Sequence, residues 1–157
     1  MPTSPDATPA QSTPTEQGLW VTTTINRGRF STTVQARTHD WLLDEPTSVG
    51  GTDTGPTPYE ALLGSLGGCM AITLRMYADR KGWPLEEVRI RLRQSRAHEP
   101  DCEVCETSEV GPHRLEREID LEGELTDEQR KRLLIIADRC PIKQALQRGI
   151  TVVDATR

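Results

Sequence analysis

The segment from Pro58 to Lys81 constrains this chain more than any other. From Ala61 to Tyr77 it carries Leu62, Leu63, Leu66, Met70, Ile72, Leu74 and Met76, which spread apolar surface over nearly every face of a helix. Such a helix is either deeply buried or crosses a membrane. A membrane span wants roughly 20 consecutive apolar residues. Here Glu60, Ser65 and Arg75 interrupt the run, and Gly64, Gly67 and Gly68 weaken it. Glycines on an apolar helix let another backbone approach closely, so the expectation is a buried central helix at a subunit interface, with no membrane involved. Its ends are marked locally. Thr57 suits the N-cap, Pro58 the first helical position and Glu60 the capping box, while Gly82 and Pro84 stop the helix after Lys81.

Strand signals lie on both sides of it. Leu19–Ile25 is a β-branched run, Asn26-Arg27-Gly28 reads as a turn, and a second strand is expected from Arg29 to Ala36, with a third short one at Trp41–Leu43. The glycine- and proline-rich stretch from Asp44 to Pro58 reads as loop. Beyond the helix, Val88, Ile90 and Leu92 alternate with Arg89, Arg91 and Arg93, the period of a half-buried strand. Leu115, Ile119 and Leu121 mark its partner, with residues 97–112 as the connecting loop. Thr126-Asp127-Glu128-Gln129 is a capping-box signature for a further helix, which Pro141 must break. Cys140 then caps a short final helix ending at Gly149, and Ile150–Val153 is expected as a closing strand. The order βββ-α-ββ-αα-β is α+β, an antiparallel sheet with helices on one side.

With 157 residues, 34% hydrophobic and 4% aromatic, the apolar content is thin for a self-sufficient core and points to a partner subunit. The 19 basic and 24 acidic residues are interspersed, giving a net charge of −5 without the basic stripe that a phosphate backbone requires. Nucleic acid is therefore not an expected partner. Residues 1–17 are rich in Pro, Ser and Thr and are expected to be disordered, leaving one domain over residues 18–157. The N-terminus has neither the positive region nor the apolar stretch of a signal peptide, so a cytoplasmic location with reduced cysteines is expected.

Four cysteines then need a reading. Cys69 follows Gly67-Gly68 inside the apolar helix. It is either a small core hydrophobe or a sulfur whose preceding glycines leave room for a substrate. Cys140, as an N-cap, faces unpaired N–H groups and the positive end of a helix dipole, with Arg139 and Lys143 nearby, which favours a thiolate. The local physics thus ranks Cys140 as the more acidic thiol, against the plainer reading of a cap substitute. Cys102 and Cys105, flanked by His98 and His113, allow a tetrahedral zinc site, a redox disulfide or exposed reduced thiols. Glu60 and Arg27 already have structural explanations as capping-box and turn residues.

Taken together, Gly55-Pro56-Thr57-Pro58-Tyr59-Glu60-Ala61-Leu62-Leu63, the Gly-Gly-Cys ending at Cys69, Arg80-Lys81-Gly82-Trp83-Pro84-Leu85 and Ile136-Ala137-Asp138-Arg139-Cys140-Pro141 resemble the OsmC/Ohr family over about residues 19–153. His39, Asp44-Glu45-Pro46 and the Cys-x2-Cys loop look most like its OsmC-like redox protein branch. The resemblance implies an OsmC-like fold and an intertwined homodimer with central helices between two sheets and active sites at the interface. It implies that Cys69 attacks an organic hydroperoxide and becomes a sulfenic acid, which Cys140 resolves to a disulfide that a dithiol donor of lipoyl or thioredoxin type reduces. No cofactor or metal is implied. The family's activating glutamate directly follows the proline before the catalytic helix. In this chain Tyr59 stands there and Glu60 comes one place later, with Arg27, or its competitor Arg29, as the matching arginine. Two other functions fit the same residues: a weakly active or inactive dimer that senses redox state or binds a small apolar ligand, and a zinc-dependent role for the Cys102/Cys105 loop.

Overall fold

The computed structural model describes residues 19–96 and 113–154, which divide into two compact units at Thr57/Pro58. In the first unit, β1 (Thr22–Ile25), β2 (Thr32–Ala36) and β3 (His39–Leu43) form an antiparallel sheet in the order β1-β2-β3. Thr23 pairs with Val34, and Val34 with Trp41, so Val34, which is buried, centres the sheet. The second strand starts later than its sequence suggests. Arg29 adopts a left-handed φ of 50°, which ends strand geometry there, and its guanidinium donates to the Gly50 carbonyl at 3.0 Å.

After β3 the chain is organised by one carboxylate. Asp44 is buried and accepts hydrogen bonds from the Glu45 N–H at 2.8 Å, the Thr52 and Thr54 N–H groups at 3.1 Å each, and both threonine hydroxyls. These donors hold its carboxyl far below the usual range, against the opposing effect of burial. Around it the stretch read as loop contains a short 3-10 turn, Thr47–Val49. Gly51 is required there, because a Cβ would meet the Glu45 carbonyl oxygen at 1.7 Å.

The second unit is built on α1 (Pro58–Lys81), with the ends expected from its proline and glycine signals. Leu66, Met70, Leu74 and Ala78 recur every four residues and are its buried positions. They pack against the antiparallel hairpin of β4 (Glu87–Arg96) and β5 (His113–Glu122), and against α2 (Asp127–Ala137) and α3 (Pro141–Arg148). By length and a mean hydropathy of 1.3, α1 could cross a membrane. Within one chain it is not buried all round: Ile72 is 62% and Met76 66% exposed. The Thr126 hydroxyl accepts the Gln129 N–H at 3.2 Å and the Gln129 side chain accepts the Thr126 N–H at 2.9 Å, completing the expected capping box.

The outer face of the hairpin is a charge ladder. Register places Arg89 opposite Asp120, Arg91 opposite Glu118 and Arg93 opposite Glu116, and each pair is in ion-pair contact. The arginine row is thus neutralised across the ladder. Ile150–Val153 forms no strand: it pairs with none of the described strands, and Ile150, Val152 and Val153 stay exposed. β propensity alone does not make a strand where no ladder forms. The α+β class and the antiparallel pairing agree with the sequence; this closing strand does not.

Candidate active site

The two thiols that the sequence separates by 71 positions meet in the second unit. The Cys140 Sγ lies 2.7 Å from the Cys69 Sγ, with Cys140 as donor, and both are free cysteines. That is longer than a disulfide bond of about 2.05 Å and close enough to bond without moving either backbone far. Three features of local sequence bring them together. The four-residue repeat of Leu66, Met70 and Leu74 turns one face of α1 inward, placing Cys69 at its margin, half-buried. Pro141 ends the preceding helix and starts α3. The Asp138, Arg139 and Cys140 N–H groups close the last turn on Ile135, Ile136 and Ala137 carbonyls. Cys140 is then driven into a cluster with Leu66 and Met70, bordered by Ile90, Leu92, Leu115, Ile142 and Leu146.

This burial overturns the ranking of the two thiols drawn from sequence. Cys140 is the N-cap of α3, but no cap hydrogen bond reaches its sulfur, and its exposure is 0%. Burial, followed by the hydrogen bond to Cys69, pushes the Cys140 thiol up; the Lys143 and Ile142 N–H dipoles pull the other way and lose. Desolvation of the charged form outweighs the helix end. Cys140 is therefore held as a thiol, and Cys69 is the sulfur that a molecule from solvent meets first.

An open apolar groove of about 320 Å³ runs beside α1, lined by Leu63, Gly64, Gly67, Gly68, Ala71, Ile90 and Leu92. The glycines before Cys69 form part of its floor. A Cβ at Gly64 or Gly68 would have no neighbour within 4 Å, whereas one at Gly67 would approach Leu92 Cδ1 at 3.2 Å. Ile90 and Leu92 belong both to this groove and to the border of the thiol cluster.

One charged residue at the site went unremarked in the sequence. Arg117 lies opposite Leu92 in the ladder. Its Nη2 donates to Asp138 Oδ1 at 2.7 Å and its Nη1 is 3.8 Å from the Met70 sulfur. Lys143 donates to the same Asp138 oxygen. These two cations, Lys143 first, hold the Asp138 carboxyl below its usual range despite opposing burial. The signal was available: Leu115, Ile119 and Leu121 alternate on the apolar face of β5, and Arg117 occupies a position in that row.

The other candidates belong to the first unit, to the start of α1, or to residues outside those described. Arg27 is in the loop between β1 and β2, and Arg29 is engaged with Gly50, both in the first unit. Glu60 is in the first turn of α1. Nine residues of helix carry it about 13 Å along the axis and about half a turn around from Cys69. Cys102, Cys105 and His98 lie outside the described residues. His113 begins β5. Among the described residues no group of three or more His, Cys, Asp or Glu side chains is placed to hold a metal.

Comparison with known proteins places the fold. The family model described as OsmC-like protein matches residues 51–153. An OsmC-like protein from Mycoplasma pneumoniae has a similar structure, with a TM-score of 0.67 at 20% identity, covering 85% of this chain and 89% of that one. The organic hydroperoxide resistance protein OsmC of Legionella pneumophila aligns with a TM-score of 0.57 at 17% identity, over 85% and 91% of the two chains. An organic hydroperoxide resistance protein from Elizabethkingia anophelis gives 0.58 at 18%, over 86% and 91%. No curated protein sequence matches the chain.

Proposed function

The chain belongs to the OsmC-like protein family, and on that premise we propose that it is a thiol-dependent peroxidase reducing organic hydroperoxides, with Cys69 as the attacking sulfur and Cys140 as its resolver. The observation that carries this reading is the 2.7 Å approach of two free sulfurs, one half-buried and the other fully buried. A buried thiol cannot meet a peroxide first, but it can meet a neighbouring sulfenic acid. The Cys69 thiolate attacks the outer peroxide oxygen, the O–O bond breaks, and the alcohol leaves with a proton. Cys140 then attacks the Cys69 sulfenic acid; an S–S bond forms and the hydroxyl departs as water with the Cys140 proton. A dithiol donor returns both sulfurs to thiols by exchange. The apolar groove beside Cys69 favours an alkyl or aryl hydroperoxide over hydrogen peroxide.

The partner in this reading is a second copy of the chain, seated on the exposed side of α1, and the location is the reducing cytoplasm. The paired charges of the β4–β5 face leave no unopposed basic row there for nucleic acid.

Single-turnover oxidation with cumene hydroperoxide tests the assignment. Cys69→Ser is expected to abolish peroxide consumption. Cys140→Ser is expected to consume one equivalent and leave a sulfenic acid that dimedone traps. Continued turnover by the Cys69 variant rules the reading out. A second reading, a redox-sensing or apolar-ligand-binding dimer without useful turnover, is favoured by Tyr59 occupying the glutamate position. Turnover with a lipoyl or thioredoxin donor at rates above background excludes it.

A further inference from the structure

Arg117 is out of place by the logic of its own strand. It stands in the apolar row of β5, opposite Leu92, which borders the thiol cluster, and its side chain is 27% exposed. A largely desolvated guanidinium is costly unless paired. Its partner Asp138 is 50% exposed, and an ion pair so open to solvent adds little to stability, so stability alone gives no reason for an arginine here. Its contacts suggest another. One nitrogen holds Asp138, two residues before Cys140, and another touches Met70, the residue after Cys69. Lys143, three residues beyond Cys140, grips the same Asp138 oxygen. A single guanidinium therefore touches both segments that carry the sulfurs, and the carboxylate it holds is braced on both sides of Cys140.

We infer that Arg117 is a positioning residue for the second thiol step: through Asp138 it holds the connector between α2 and α3 so that the Cys140 sulfur faces Cys69 in line for attack. The inference rests on Cys69 and Cys140 reacting with one another, but not on peroxide being the oxidant, so it can be tested without peroxide.

The test uses the full chain carrying Cys102→Ser and Cys105→Ser, with the aryl disulfide dithionitrobenzoate as oxidant. The Cys69 thiolate attacks the reagent, forming a mixed disulfide and releasing one aryl thiolate. Cys140, its proton lost to solvent, then attacks the Cys69 sulfur; the protein disulfide forms and the second aryl thiolate leaves. The second phase is intramolecular, so its rate does not depend on reagent concentration. Arg117→Met should leave the first phase unchanged and slow the second by about tenfold or more, the scale set by misplacing reacting atoms. Asp138→Asn should show the same defect, and Arg117→Lys should restore most of the rate. An unchanged second phase in Arg117→Met overturns the inference. So does equal slowing of both phases with no rescue by lysine, which would mark a general structural role. If Arg117→Met does not fold, the isosteric Asp138→Asn decides, and an undisturbed second phase there overturns the inference. If the parent chain shows no concentration-independent phase, the two-thiol reading falls and takes this inference with it.

Discussion

At the scale of single residues, burial decides between two thiols that sequence context had ranked the other way. An N-cap position and two nearby cations argue for an acidic Cys140, and each is a local feature that can be read directly. What they omit is the surrounding solvent. The cluster around Cys140 is assembled from α1, the β4–β5 hairpin and α3, and its desolvation reverses the sign of the shift. The consequence can be measured by alkylation. In a Cys69→Ser chain that also carries Cys102→Ser and Cys105→Ser, iodoacetamide should modify native Cys140 slowly, with a titration midpoint above the ordinary thiol value of about 8.5. Unfolding in guanidinium should bring the midpoint back to that value. A native midpoint at or below it would show that the helix end dominates after all. Arg117 escaped notice for a related reason. Its partners Asp138 and Met70 lie 21 and 47 positions away, and spacing along the chain carries no trace of either.

At the scale of elements, what is encoded within a few residues proved legible. α1 starts at Pro58 and ends at Lys81, and the Thr126 box forms with both of its hydrogen bonds. The loop after β3 shows the opposite case, where one side chain organises ten following residues that composition marks only as irregular. Asp44 collects five donors from Glu45, Thr52 and Thr54, so its carboxyl is depressed in the folded state. A depressed carboxyl contributes stability that is fully present above its unfolded value of about 3.9 and is lost as pH falls through the folded value. Asp44→Asn should therefore lower the urea midpoint at pH 7, and the gap to the native chain should narrow steadily once pH drops below about 4. A gap independent of pH would mean that the loss comes from hydrogen-bond geometry and packing and that charge plays no part.

At the scale of the whole molecule, the sequence demanded that α1 be covered, and one chain covers only part of it. The buried stripe from Leu66 to Ala78 uses the hairpin and the two short helices. Beyond it, Leu62, Ile72 and Met76 remain exposed, as do Leu134 and Ile135 on α2. Apolar surface left in water forfeits about 25 cal/mol per Å² that a partner would recover. The proposed second copy would cover this surface, because it brings the same unsatisfied helix. Light scattering of the detergent-free protein should then give the mass of two chains. Ile72→Glu with Met76→Glu should give one, since neither residue belongs to the chain's own buried clusters and the monomer should keep its helical circular dichroism. Loss of the dimer should also leave the 2.7 Å thiol pair intact, because both sulfurs come from one chain. The aryl disulfide reaction would still show its intramolecular phase in the monomer. A native chain that sedimented as a monomer, or a double variant that remained dimeric, would remove α1 as the interface and leave its exposed face to some other partner.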